Sequence, residues 1–438
     1  MNKLLQVKEF DSITDKIKYR DYVKSKDMDK YKYLEPKVFQ ELLNYIHEQT
    51  KIQKKASDFD ILKIQHEGKL EYVIKVQNYV GLIQLKSGYQ IEILPKVEFN
   101  LEEDPENERT KIVFLKMLRS LNGEQGKTFN SANLNMGKMN LYEIIINMYL
   151  QEVRHLVKRG IKSDYITQED NLRYYKGKLL IQQHIKENLC HKERFYVAYD
   201  EFHPDRAENR LIKATLLKLQ KFTNSARNSK EIRQLLLSFE MVTPSVNYQK
   251  DFSKVVINRN TKDYETLMKW SKIFLQGLSF TTFSGNNTAN ALLFPMEKIY
   301  ESYVAYHIKK IFRPNGWEVS AQDEKYYLFD INKKFAIKPD IVCSKGNRII
   351  IMDTKWKRLN NIKAYHYGID QADLYQMYAY AKKYGSSEVW LLYPFNNVNI
   401  SQKELKFRSS DDFNVSVYFI DVANIEDNLT QLKMKIES

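Results

Sequence analysis

The chain has 438 residues, 43 % of them hydrophobic and 28 % charged, and Lys+Arg outnumber Asp+Glu by 69 to 55 for a net charge of +14. That length exceeds what one compact core usually holds, so the composition describes a folded protein of two or three domains and excludes a disordered or fibrous one. Two cysteines, Cys190 and Cys343, exclude a disulfide framework and a zinc site, no run reaches the length of a membrane span, and the basic balance suits a polyanionic partner.

The first residues, Met1 to Lys8, lack the apolar run of a signal peptide, so a cytoplasmic protein is expected. Val38, Leu42, Leu43 and Ile46 set a helix over Pro36 to Thr50. Four short strands follow, at Phe59–Gln65, Leu70–Val76, Val80–Leu85 and Tyr89–Leu94, with turns at His66-Glu67-Gly68 and Lys86-Ser87-Gly88. Residues 110–121 return to helical spacing. Gly123-Glu124-Gln125-Gly126-Lys127-Thr128 has two residues between its glycines, where a phosphate-binding P-loop needs four, and it follows a helix rather than a strand. Nucleotide hydrolysis by this chain is not expected.

From about Asn140 to Gly277 helices dominate, notably Leu141–Lys158 and Glu208–Phe222, with an extended piece at Arg194–Phe202. This region carries Lys176, Lys178, Lys186, His191, Lys192, Arg194, Arg206, Arg210, Lys213 and Lys218. They are either solvated helix faces or a surface that neutralises duplex phosphates without reading bases. Ser279 to Asn290 is rich in Ser, Thr, Asn and Gly and reads as a linker. A compact α/β pattern closes the chain: a helix over Pro295–Phe312, about three strands in 316–353, a helix over Gln371–Tyr384, and strands at Glu388–Leu392 and Val415–Ile420. The expected class is thus α+β / α/β multidomain. Residues 1–130 form a β-rich domain, 131–278 a mainly helical one, 279–290 a linker, and 291–438 an α/β domain.

The chemistry concentrates in that last block. Ile337-Lys338-Pro339-Asp340 precedes a strand, Lys345-Gly346-Asn347 marks a turn, and the returning strand ends Ile349-Ile350-Ile351-Met352-Asp353-Thr354-Lys355. Side chains alternate along a strand, so Asp353 and Lys355 share a face while Thr354 points the other way. Asp340 and Asp353 are hard oxygen ligands able to share a divalent ion such as Mg²⁺, or Mn²⁺ in its place, and the Thr354 carbonyl can be a third donor. Lys355 then lies where an attacking water needs a cation. The bland alternative is a salt-bridged strand end. Glu301, on the helix before the sheet, can complete the metal site, with Glu297 its rival for the role. Gln376 shares a helix face with Tyr380 and can orient Lys355 or touch a phosphate.

Pro339-Asp340, Asp353-x-Lys355, the earlier Glu301 and the later Gln376-x-x-x-Tyr380 resemble the PD-(D/E)xK nuclease superfamily. Three further stretches narrow the likeness. They are Val80-Gly81-Leu82-Ile83 with Ile91-Glu92-Ile93-Leu94-Pro95-Lys96; Lys176-Gly177-Lys178-Leu179 with Asp200-Glu201-Phe202 and Glu208 to Ala214; and Phe294 to Val304. Together they look like the McrC family, nuclease subunits of McrBC modification-dependent (type IV) restriction systems. The resemblance implies a restriction-endonuclease-like fold for 291–438 and Mg²⁺-dependent cleavage of double-stranded DNA. It implies a partner, an McrB-like AAA+ GTPase hexamer that binds the GTP, reads methylcytosine and docks on the N-terminal β-rich region. The alternative is a non-cleaving adaptor that activates the partner's GTPase.

Overall fold

A computed structural model of the protein describes residues 4–52, 61–97, 107–120, 140–276 and 290–438, apart from 22, 24, 330, 332, 358, 360–362, 396–403 and 412. The P-loop-like stretch 123–128 and nearly all of the expected linker lie outside the described residues. In chain order the first elements are β1 (Leu4–Lys8), β2 (Ser12–Thr14), β3 (Tyr31–Tyr33), α1 (Pro36–Ile52), β4 (Leu62–His66), β5 (Tyr72–Val76), β6 (Tyr79–Gln84), β7 (Gln90–Leu94) and α2 (Glu108–Ser120). Then come α3 (Leu141–Arg159), β8 (Asp164–Leu172), β9 (Lys178–Leu179), α4 (Ile181–Asn188), β10 (Phe195–His203), α5 (Ala207–Phe222), α6 (Ala226–Leu237), α7 (Tyr248–Lys254) and α8 (Glu265–Gln276). The last block holds β11 (Asn290–Pro295), α9 (Met296–Phe312), β12 (Glu318–Ala321), β13 (Tyr326–Phe329), β14 (Lys334–Ile337), β15 (Ile341–Lys345), β16 (Arg348–Thr354), α10 (Gln371–Tyr384), β17 (Glu388–Pro394), β18 (Glu404–Arg408), β19 (Asn414–Ile420) and α11 (Ile425–Glu437).

The chain divides into two compact units, one of residues 1–141 with 283–438 and the other of 142–282. The sequence reading separates the N-terminal and C-terminal blocks, with 290 as the end of a linker. In the structure Asn290 opens β11, which pairs antiparallel with β6 from Asn290 opposite Gln84 to Pro295 opposite Tyr79. That pairing closes a sheet of order β1-β7-β6-β11, so the two blocks share one unit. The polar composition of 279–290 hides this strand, whose apolar run, Leu292 to Phe294, begins only afterwards.

Within this unit the N-terminal part packs α1 through Val38, Phe39, Leu42 and Ile46 against Ile74, Val76, Ile83, Ile91 and Ile93. Glu92 sits fully buried on β7, 3.7 Å from the equally buried Lys111 amine, and accepts from Gln6 Nε2 at 2.6 Å and from the Leu141 amide. A buried carboxylate needs such donors because its desolvation is otherwise uncompensated.

The C-terminal part is a six-stranded sheet of order β12-β15-β16-β17-β19-β18. The central pairs β16–β17 and β17–β19 are parallel and the flanking pairs antiparallel. Met377, Tyr380, Ala381 and Tyr384 of α10 cover one face, against Ile351, Val389, Leu391 and Val417. On the other face α9 and α11 pack, with Tyr418 donating to the Asn428 carbonyl at 3.1 Å. The sequence reading expects about three strands in 316–353; the described residues there form five, because β13 and β14 pair as a separate hairpin outside the main sheet.

The second unit joins the helices α3 to α8 to a sheet of order β8-β10-β9. Asn209 on α5 ties its turns together, donating to the carbonyls of Lys162 and Pro204 at 2.9 and 2.7 Å and accepting from Tyr264 at 2.9 Å.

Gly81 lies in β6 at φ +145°, and a Cβ there would meet the Leu292 carbonyl oxygen at 2.0 Å. Gly81→Ala is therefore expected to destabilise the unit by about 3 kcal/mol, from backbone strain and overpacking together. Urea unfolding checks it: an unchanged midpoint would mean that β11 does not pass so close to β6.

Candidate active site

β15 and β16 run antiparallel with Ile341 opposite Met352 and Lys345 opposite Arg348, so Gly346 and Asn347 form a two-residue turn, Gly346 with φ +60°. This register brings Asp340, just before β15, beside Asp353 near the end of β16. Asp340 is held there by the strand opposite: its Oδ2 accepts from the Thr354 amide at 2.8 Å and the Thr354 hydroxyl at 2.7 Å. The Lys355 amide continues the ladder to the Leu392 carbonyl at 3.0 Å. The Lys355 amine therefore returns to the face of Asp353, 2.8 Å from its Oδ2.

α10 positions the amine from its other side. Lys355 Nζ donates to Gln376 Oε1 at 3.2 Å and lies 3.5 Å from Asp373 Oδ1. Gln376 Nε2 donates to the Tyr380 hydroxyl at 2.6 Å, and that hydroxyl donates to the Lys338 carbonyl at 3.1 Å. The chain of bonds thus returns to the strand that delivers Asp340. Glu301 enters from α9. Gln322 Nε2 donates to Glu301 Oε1 and lies 3.5 Å from Asp340 Oδ1. Glu297 is one turn earlier and exposed, its Oε1 accepting from Asn78 Nδ2 at 2.9 Å. Of the two rivals it is thus Glu301 that shares a donor with Asp340.

Two participants escape the sequence reading. Asp373 lies three residues before Gln376, so helical spacing could have revealed it. Gln322 gives no such signal; it sits between β12 and β13 at φ +51°, and only the fold carries it to the acids.

Electrostatics distinguish this cluster from an ordinary salt bridge. Burial, and then the charge of Asp340, push the Asp353 carboxyl up to about 7 against the pull of Lys355. Asp340 is also raised, by burial, although the Thr354 hydrogen bonds oppose the shift. Burial and then the charge of Asp340 raise Glu301 to about 7. For Lys355, burial works against the charge, but Asp353 foremost outweighs it and moves the amine up to about 12. Asp353, Asp373 and Asp340 thus act on one amine that keeps its proton, while Glu301 adds its charge beside Asp340. Among the described residues no group of three or more carboxylate, imidazole or thiol side chains closes around one point, so an all-protein metal cage is not formed. The donor set, two carboxylates with Thr354 and Glu301 at hand, instead fits a small hard cation that keeps several of its waters, as Mg²⁺ does.

The candidate phosphate surface of the second unit is only partly available. Arg206 pairs with Glu208 at 3.2 Å, and Arg210 lies 3.6 Å from Asp205. Lys213 donates to the Val242 carbonyl at 2.6 Å and Lys218 to that of Leu275 at 3.4 Å. Lys176 lies 3.8 Å from the centre of the Tyr199 ring. Lys178, Lys186 and Lys192 are exposed.

Residues 74–394 match the family model described as McrBC 5-methylcytosine restriction system component. No curated protein matches the chain. Among solved structures, the refined half-complex from the tetradecameric assembly of Thermococcus gammatolerans McrB AAA+ hexamers with bound McrC contains a chain that aligns with 99 % of this one and 100 % of its own length, at a TM-score of 0.68 and 18 % identity. The cryo-EM structure of the Thermococcus gammatolerans McrBC complex aligns with 70 % of this chain and 88 % of its own, at a TM-score of 0.50 and 20 % identity. At these identities the likeness establishes the fold. Among the described residues, no helix is long and apolar enough to cross a membrane.

The raised Asp353 carboxyl makes a stability prediction. It titrates near 7 when folded, against an ordinary 3.8. Between those values the folded state keeps a proton that the unfolded state has lost, so the wild-type protein loses stability as pH rises through the window. Without divalent metal, Asp353→Asn should therefore be more stable than the wild type above pH 7, by on the order of a few kcal/mol, and the advantage should shrink toward pH 4. Thermal melts of both proteins across this range read the difference. An advantage independent of pH would refute the charged, crowded site.

Proposed function

Because the chain belongs to the McrBC 5-methylcytosine restriction system component family, we propose that it is the endonuclease subunit of a GTP-dependent, modification-dependent restriction complex that cuts double-stranded DNA. The observation that carries this reading is the convergence of Asp340, Asp353 and Lys355, with the amine 2.8 Å from Asp353. In this reading residues 291–438 are a PD-(D/E)xK nuclease domain, with Glu301, Asp340, Asp353 and Lys355 in the order that pattern requires.

Each side chain has a task in phosphodiester hydrolysis. Asp340 and Asp353 would hold Mg²⁺, with the Thr354 carbonyl and Glu301 completing the set; Mn²⁺ would meet the same oxygen donors. When bound, the ion neutralises charge on the phosphate and acidifies a water. Thr354 fixes Asp340 by two hydrogen bonds, so that one carboxylate oxygen stays directed into the site. Lys355 keeps its proton well above neutral pH, which suits a donor to the anionic transition state rather than a general base. Gln376 sets the direction of that amine.

The partner is inferred from the company of structural relatives. The half-complex it resembles holds McrB AAA+ hexamers with bound McrC. An McrB-like AAA+ GTPase hexamer is proposed to bind the GTP and to dock on residues 1–130, leaving this chain without a nucleotide site. Duplex DNA is drawn by charge, through Lys178, Lys186 and Lys192 among others.

Two predictions test this. With partner, GTP and Mg²⁺ present, Asp340→Ala, Asp353→Ala and Lys355→Ala should each lower DNA cleavage by about a thousandfold or more while complex formation and GTPase stimulation persist. Undiminished cleavage by any of them would remove that residue from the site. Replacing Lys178, Lys186 and Lys192 together by Ala should flatten the slope of log affinity against log salt by up to about 3. An unchanged slope would locate DNA binding on another surface.

A further inference from the structure

Trp356 follows Lys355 directly, just past the end of β16, and the two side chains meet different partners. While the amine faces the acids, the indole is 5 % exposed and faces the N-terminal part of the same unit. There its Nε1 donates to both oxygens of Glu9, each at 3.1 Å, across 347 residues of sequence. Glu9 is fully buried. Its Oε2 also accepts from the Lys96 amide at 3.0 Å, and its own amide donates to the Leu94 carbonyl at 3.0 Å. The carboxylate is thus fixed at the ends of β1 and β7, which pair in parallel with Lys8 opposite Leu94.

The same indole touches a second approach to the site. Its ring lies 5.2 Å, centre to centre, from that of Tyr300, which is wholly buried on α9 and immediately precedes Glu301. One side chain is thus the chain neighbour of Lys355 and packs on the chain neighbour of Glu301. The N-terminal part grips the start of α9 independently, for the Met296 amide donates to the Asn78 carbonyl at 3.1 Å. A buried carboxylate that spans one indole N–H is costly to desolvate, and such an arrangement is stable only where the surrounding structure holds it.

The geometry points to Glu9 as a positioning residue for cleavage: through Trp356 it sets where Lys355 and Glu301 stand relative to Asp340 and Asp353. This rests on the endonuclease reading above. Glu9 does not touch DNA; it acts by holding an amine and a carboxylate whose placement within about an ångström governs the rate.

The test uses the full-length protein with its GTPase partner, GTP, Mg²⁺ and duplex DNA under single-turnover conditions. Glu9→Ala and Trp356→Phe should each slow cleavage by about 10- to 100-fold, with DNA affinity and GTPase stimulation within about twofold of the wild type. Glu9→Gln keeps an acceptor for the indole and should recover most of the rate. The clamp is read separately by the indole N–H resonance of Trp356, assigned by its absence in Trp356→Phe. It should exchange slowly in the wild type and Glu9→Gln and rapidly in Glu9→Ala. Wild-type cleavage by folded Glu9→Ala or Trp356→Phe would overturn the positioning role, and so would a rapidly exchanging indole in the wild type. If Glu9→Ala does not fold, Trp356→Phe, which keeps most of the ring, decides alone. A wild-type complex that assembles and hydrolyses GTP yet leaves DNA intact would instead overturn the endonuclease reading.

Discussion

The structure around the site depends on one electrostatic constraint: Asp340, Asp353 and Glu301 are crowded into a partly dry corner beside the amine of Lys355. Like charges at short range in a poorly solvating medium repel strongly, and burial adds to the cost of each. Left to themselves the acids would separate or take up protons, as their raised titration shows. They stay together because each is anchored by the elements around it. Asp353 is fixed by the central strand β16, Asp340 by two bonds from Thr354, and Glu301 by α9 and by Gln322. Under the proposed function, that excess negative charge is what a divalent cation would relieve, so the crowding that is unfavourable by itself suits the proposed ligand set.

Holding such a site requires support from distant parts of the chain. β11 pairs with β6 along its whole length and passes without a break into α9. The helix that carries Glu301 is therefore an extension of the N-terminal sheet. Asn78 and Glu9 add polar ties at the start of α9 and at Trp356. The N-terminal block belongs to the scaffold of the site as much as the six-stranded sheet does. This explains why one compact unit includes both ends of the chain.

The acids and the amine were legible in sequence because their geometry is local. A two-residue turn and strict alternation settle where Asp340, Asp353 and Lys355 point without reference to the rest of the molecule. Gln376 and Tyr380 were legible for the same reason, through helical spacing. Asp373 carried that signal too. So did α11, whose Ile425, Leu429, Leu432 and Ile436 form a plain buried stripe. Gln322, Glu9 and the β6–β11 pairing carried none, since each acquires its role only when segments far apart in sequence meet. Charge alone left two readings open in the second unit. Arg206, Arg210, Lys213 and Lys218 read in sequence as solvated faces or a phosphate surface; in the structure they pair with carboxylates and backbone carbonyls.

The stretches that carry the family likeness outside residues 291–438 divide by the same logic. Gly177 stands at φ +71°, where a Cβ would lie 2.3 Å from the Ala198 carbonyl oxygen, so it permits the close approach of β10. Asn209 closes turns by three hydrogen bonds, and Glu92 is the buried partner of Lys111. Each meets a requirement of the backbone or of a buried charge. A family pattern of this kind marks positions where the fold tolerates one residue type, and it identifies a fold more surely than a reaction. The reaction has to be argued from the groups that the fold keeps together at an energetic cost. In this chain those groups are the three acids and the lysine.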